Sequence, residues 1–132
     1  MKRNYKMVPQ LLPGETYIGT VCPGHVKPYH LILSPVETEY LASFSEGWNR
    51  PLILGEGESR QYDYFIPSLE QMEMMMTVEP EKFIERQTYW TSTKYTTRDT
   101  KYVYSRMGMG ISMEHDAVCV VRKIRTVDLG AE

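Results

Sequence analysis

Three histidines, two cysteines and a pair of glutamates are the residues in this 132-residue chain whose types could do chemistry. His25, His30 and His115 fall in separate segments, with no H-E-x-x-H, E-x-x-H or Cys/His spacing among them, so no metal site is expected. Cys22 and Cys119 form no C-x-x-C pair; they permit one bridge, and two buried thiols are the expected state. No serine stands in G-x-S-x-G, and Gly108 and Gly110 do not sit between a strand and a helix as a phosphate cradle requires. Glu70 and Glu73 lie one helical turn apart, which an exposed polar face explains better than an acid/base pair. No catalytic residue, metal or cofactor follows from these groups.

The charge is better sorted than its net value of −2 suggests. Eleven acidic and three basic residues lie between Glu37 and Glu85, and eight basic and three acidic ones between Arg86 and Arg125. An acidic helical half and a basic strand half are expected. Overall basicity is too low, and no module is present, for a nucleic-acid partner. No run nears the roughly 20 apolar residues of a bilayer span, and residues 1–14 lack the apolar core of a secretory signal. The expectation is a soluble protein with no membrane insertion, in a virion or a host cytoplasm. Ten tyrosines, two tryptophans and nine methionines exceed what so small a core needs, so some are displayed.

The elements that must position these residues follow from local signals. Residues 1–14 read as an extended arm, with Pro9, Pro13 and Gly14 as breakers. Residues 15–126 read as one domain and 127–132 as a tail. Strands at 15–22 and 29–33 form a hairpin around Pro23-Gly24. Ser34-Pro35-Val36-Glu37 has the form of a capping box and predicts a helix over 35–46, with Val36, Tyr40, Leu41 and Phe44 on one face and Gly47 ending it. Residues 49–64 are mostly loop. Ser68-Leu69-Glu70-Gln71 repeats the capping signature and predicts a helix over 68–77, its methionines serving as core filler. Strands at 89–95, 101–106, 111–114 and 117–124 then form an antiparallel meander, Val118 to Val121 being central and covered on both faces, while 101–106 exposes one side.

Five segments in this order carry a resemblance: YHLIL, YFIPSLEQM, YWTSTKY, a Tyr-rich strand ending in a glycine turn, and VCVVRKIR. Together they are similar to the domain of unknown function typified by the C-terminal domain of a bacterial collagen-like adhesin, a family common in phages and bacteria. The similarity covers about residues 17–125 and implies an α+β, C-type lectin-like fold, with two helices packed on a mainly antiparallel sheet meander. It assigns a structural role to Pro67, Ser68, Trp90, Ser92, Arg122 and Arg125. It extends distantly to the formylglycine-generating enzymes, whose cysteine pair has no counterpart here. The sugar-binding strings of calcium-dependent lectins are broken in Glu79-Pro80-Glu81 and Trp48-Asn49-Arg50, so calcium is not expected.

The lectin-like resemblance, with the short single domain, the basic proline-bearing arm, the displayed aromatics and the lack of a secretory signal, leads to the expectation of a non-enzymatic protein-interaction domain, a phage structural protein acting in virion decoration or host attachment. Its partners would be other protein subunits, in a virion or a homo-oligomer, or a host surface glycan or protein. The expected binding residues are Tyr95, Arg98, Lys101, Tyr102, Tyr104, Arg106, Met109 and His115, with Tyr5, Met7 and Leu11 of the arm as the assembly contact. A module for a glycan or small anionic ligand, contacted by Arg98, Lys101 and Arg106, and an intracellular phage inhibitor of a host protein are the competing expectations.

Overall fold

The computed structural model describes residues 8–24, 27–94, 100–105, 110–114 and 116–129. They form an α+β structure with two sheets. Strands β1 (Thr16–Val21) and β2 (Tyr29–Leu33) make the expected antiparallel hairpin, and β8 (Ile124–Asp128) pairs with the other edge of β2 to complete a three-stranded sheet. Five strands build the second sheet: β3 (Tyr40–Ala42), β4 (Thr88–Lys94), β5 (Thr100–Ser105), β6 (Gly110–Glu114) and β7 (Cys119–Val121), in the order β3-β7-β4-β5-β6. The helices are α1 (Phe44–Asn49) and α2 (Leu69–Val78).

Helix α2 forms where its sequence predicts it. Ser68 Oγ accepts from the Gln71 N–H at 3.2 Å while Gln71 Oε1 accepts from the Ser68 N–H at 2.8 Å, so both orphan donors are satisfied reciprocally. Met72, Met75 and Met76 form its buried stripe. Changing Ser68 to Ala should cost about 1 kcal/mol, read as a lower urea midpoint at constant m-value.

The helix expected over 35–46 does not form. Residues Val36–Thr38 make one 3-10 turn, Ser34 offers no cap, and Tyr40–Ala42 pairs antiparallel with Cys119–Val121. The strand partner, nearly 80 residues away, overrides the local capping signature. In the strand's alternation Leu41 points outward and Ala42 inward, which separates residues that helical spacing would have grouped. The capping box that operates belongs to Ser43 and Glu46, at the start of α1. Gly47 does not terminate a helix: it lies within α1, where a Cβ would come 2.6 Å from Val121 Cγ2, and its bareness lets α1 seat on β7.

The last four strands are not a simple meander. β4, β5 and β6 follow one another antiparallel, but β7 crosses to the far side of β4 and pairs with it in parallel. The run expected as one strand over 117–124 breaks at Arg122 and Lys123, after which the chain enters the other sheet as β8 and continues to Asp128. Val118 is exposed and precedes β7, whereas Cys119, Val120 and Val121 are buried as a central strand requires.

Each face of the five-stranded sheet has its own core. On one, Tyr89, Val120 and Phe83 pack with α2 and with Ile18, Leu31, Leu33 and Ile124 of the three-stranded sheet. On the other, Trp90, Val103, Cys119 and Val121 pack under Phe44 of α1 and Ile66. Trp90 is fully buried, and its Nε1 donates to Ala42 O at 2.8 Å.

Two buried arginines tie the layers together. Arg122 donates to Glu39 at 2.6 Å, to Ser34 O at 3.0 Å and to Lys82 O at 2.9 Å. Arg125 holds Glu15 at 2.7 and 2.9 Å and Gln10 O at 3.2 Å, so the chain before β1 is clipped against β8. Lys123 is also buried, its Nζ donating to Arg50 O; burial, with the nearby Arg50 charge, pushes its pKa down.

Burial alone would raise the Glu15 pKa, but Arg125, the Tyr64 hydroxyl at 2.5 Å and the Leu12 N–H at 2.7 Å together hold it below the ordinary carboxylate value. A depressed carboxylate pKa contributes stability that is complete above the unfolded value of about 4.3 and disappears as pH falls through the folded pKa. Glu15→Gln should therefore lower stability at neutral pH and flatten its dependence on pH below about 4.3. Urea midpoints measured across that range check it; a wild-type acid limb of unchanged slope would exclude the role of Glu15.

Candidate functional site

Among the described residues no group of three or more His, Cys, Asp or Glu converges to hold a metal. Cys119 is buried and its thiol pKa is raised by burial, against a smaller opposing hydrogen bond to Thr88, which makes it a poor nucleophile. Cys22 is exposed rather than buried, and the two thiols are not bridged.

A groove of about 520 Å³ lies between the end of the β1–β2 hairpin and the start of α2, lined by Val21, Pro23, Tyr29, Ser68, Glu70, Gln71 and Met74. Most of its polar groups are already engaged, the exposed Glu70 carboxylate excepted. Gln71 Nε2 donates to Tyr29 OH at 2.9 Å, and the rest of the Gln71 amide serves the helix cap. Apart from Glu70, little remains there to orient a polar ligand.

The strand residues offer more. Lys94 on β4 and Lys101 on β5 are directly opposed in the antiparallel register, an arrangement that places like charges side by side. Among the described residues neither makes an ion pair. Partial burial, with the Lys94 charge as a second cause, pushes the Lys101 pKa down. The Lys101 ammonium lies 4.9 Å from the centroid of the Phe44 ring, within cation–π range. Phe44 is in turn stacked on Trp48, with centroids 5.7 Å apart and an interplanar angle of 25°, and Trp48 remains 56% exposed.

Through Phe44, helix α1 packs over Trp90 and Val103, and Met113 of β6 lies beside Lys101 in the register. The result is a cationic and aromatic platform of Trp48, Lys94, Lys101 and Met113, suited to an anionic surface that also carries an aromatic or apolar group.

The binding residues expected from the sequence do not share this face. Lys101 belongs to it, but Tyr104 pairs with Tyr89 and packs against the core under α2, on the opposite side of the sheet. Alternation along β5 separates them. Tyr102 lies in β5 opposite Ser112. Tyr95, Arg98, Arg106, Met109 and His115 lie outside the described residues, as do Tyr5 and Met7 of the arm; Leu11 is half-buried against the body.

Of the residues given a structural role, Trp90, Arg122 and Arg125 occupy the buried positions described above. Pro67 O accepts from the Ser92 N–H at 2.8 Å, which fixes the entry to α2 against β4. Sequence reasoning missed Trp48, Phe44 and Lys94. The Ser43-Phe44-Ser45-Glu46 capping signature could have placed the first two on a helix, and the spacing about the β4–β5 turn could have opposed the lysines.

No helix among the described residues is long and apolar enough to cross a membrane. No family model, curated protein or solved structure matches the chain.

Proposed function

We propose that this chain is a non-enzymatic recognition domain on a C-type lectin-like scaffold, acting as a structural component of a phage particle in decoration or host attachment. The observation that carries the reading is the exposed Trp48 stacked on the buried Phe44, with the Lys101 ammonium over the Phe44 ring and Lys94 opposed to Lys101. Aromatic and cationic side chains set on a rigid sheet are the residue types that carry binding energy at protein interfaces. Pairing of the first hairpin with the last strand, β8, supports the lectin-like scaffold, and so does Trp90 packed beside the β7 segment that leads to the arginines.

The test is particle composition. Particles purified from a culture that makes this chain should contain it in stoichiometric amount, and Trp48→Ala combined with Lys101→Gln should lower incorporation by on the order of 10-fold without lowering the melting temperature. Absence of the wild-type chain from particles would exclude the particle role. The opposed lysines also favour a second reading, a module for a glycan or small anionic ligand. Thermal stabilisation of the wild type by such a compound, lost in Lys94→Gln, would select it.

A further inference from the structure

The lysine platform has a counterpart elsewhere on the same chain. Between Leu54 and Gln61 the chain leaves the body as a closed loop, held at its base by two backbone hydrogen bonds of 2.9 and 2.7 Å. A 3-10 turn, Gly57–Ser59, forms its tip, and Ser59 Oγ donates to Glu56 O at 2.8 Å. Gly55 has φ +85° and lies so close to the returning strand that a Cβ would meet Ser59 O at 2.6 Å. This loop is therefore shaped in advance, although residues 55–60 are all exposed. It carries Glu56 and Glu58 with Arg60, and the chain leaving it adds Asp63 and Tyr62, the latter 70% exposed.

Loop and platform complement each other in charge and in kind: two opposed ammonium groups beside an exposed indole on one, three carboxylates against the single guanidinium of Arg60, beside an exposed phenol, on the other. Among the described residues no ion pair joins the loop carboxylates to Lys94 or Lys101 within the chain. The match is left for a second molecule to complete. We propose that the chain self-associates head to tail, the Glu56–Asp63 loop of one copy docking on the Trp48–Lys94–Lys101 platform of the next. This rests on the recognition role proposed above and names the partner as another copy of the chain. Such a contact is heterologous, so it propagates into a ring or a filament rather than closing as a two-fold dimer. Its preformed loop limits the ordering cost of association, and its charges make it salt-dependent.

Two charge reversals test it with the full chain, by sedimentation velocity at low and high ionic strength. Wild type should associate at low salt and dissociate as salt rises. Lys94→Glu with Lys101→Glu should weaken association by on the order of 10-fold or more, and so should Glu56→Lys with Glu58→Lys. Mixing the two variants should restore it, because each then offers the surface that the other lost. All four positions are exposed or half-buried, and circular dichroism confirms that each variant is folded before mixing. A wild type that stays monomeric at low salt, association indifferent to both reversals, or a mixture that fails to associate would each overturn the proposal. If Lys94→Glu with Lys101→Glu abolishes incorporation into particles while the wild type is monomeric, the self-association is wrong and the recognition role stands. If the wild-type chain is absent from particles and also monomeric, both fall.

Discussion

Replacing Trp90 with Ala should destabilise the domain by about 3–5 kcal/mol and lower its melting temperature by on the order of 10–20 °C. The side chain is fully buried, meets Phe44 edge-on at 5.6 Å, and is packed with Val103, Cys119 and Val121. Removing it opens a cavity beneath α1 that a six-residue helix, already seated directly on Val121 through Gly47, cannot fill by sinking further. It also strips Ala42 O of the indole N–H. Trp90→Phe should cost markedly less, since most of the volume returns and only the hydrogen bond is lost. Because Trp48 is the other tryptophan, fluorescence still follows unfolding in both variants. A loss below about 1 kcal/mol for the alanine variant, measured by urea unfolding, would show that the core under α1 collapses freely.

Arg122→Met should be comparably damaging, at about 3–5 kcal/mol. The guanidinium is almost wholly buried and joins three separate segments: the end of β2 through Ser34 O, the approach to β3 through Glu39, and the 3-10 turn after α2 through Lys82 O. Without it the Glu39 carboxylate keeps, among the described residues, the Tyr89 hydroxyl at 3.0 Å, in a site that is nearly closed to water. Arg122→Lys should not rescue, because one ammonium cannot donate in the directions of a planar fork. The double change Arg122→Met with Glu39→Leu should recover part of the loss, since it removes the stranded charge along with its partner. Equal stability of the single and double variants would assign the effect to packing against Phe83, whose ring lies 5.5 Å from the guanidinium carbon.

What the sequence made legible was local. Ser68 and Gln71 satisfy each other within one turn, and α2 starts where they predict. The hairpin strands flank a Pro-Gly turn and pair as adjacent segments do. Ser34-Pro35-Val36-Glu37 carries as good a signature, yet Tyr40–Ala42 is claimed by β7, and no local pattern announces a partner that distant. The break at Arg122-Lys123 is hidden for the same reason: both residues are buried by groups from Ser34, Glu39, Arg50 and Lys82, none of them close in sequence.

The site was legible in part. Alternation in Lys101-Tyr102-Val103-Tyr104 already places Lys101 and Tyr104 on opposite faces, and grouping them by strand obscured it. Trp48 is out of reach of a reading that ends the helix at Gly47, because it lies within α1, which runs from Phe44 to Asn49.

The position of β8 bears on how the molecule is made. Leu33 is matched with Ile124, and Tyr29 with Asp128, so the N-terminal hairpin gains its second neighbour only from β8, the last strand among the described residues. During synthesis the apolar side of β1 and β2 must wait, uncovered by Ile124, until almost the entire domain has left the ribosome. Shortened translation products that lack Ile124–Asp128 should leave that apolar side uncovered and so stay dependent on chaperones.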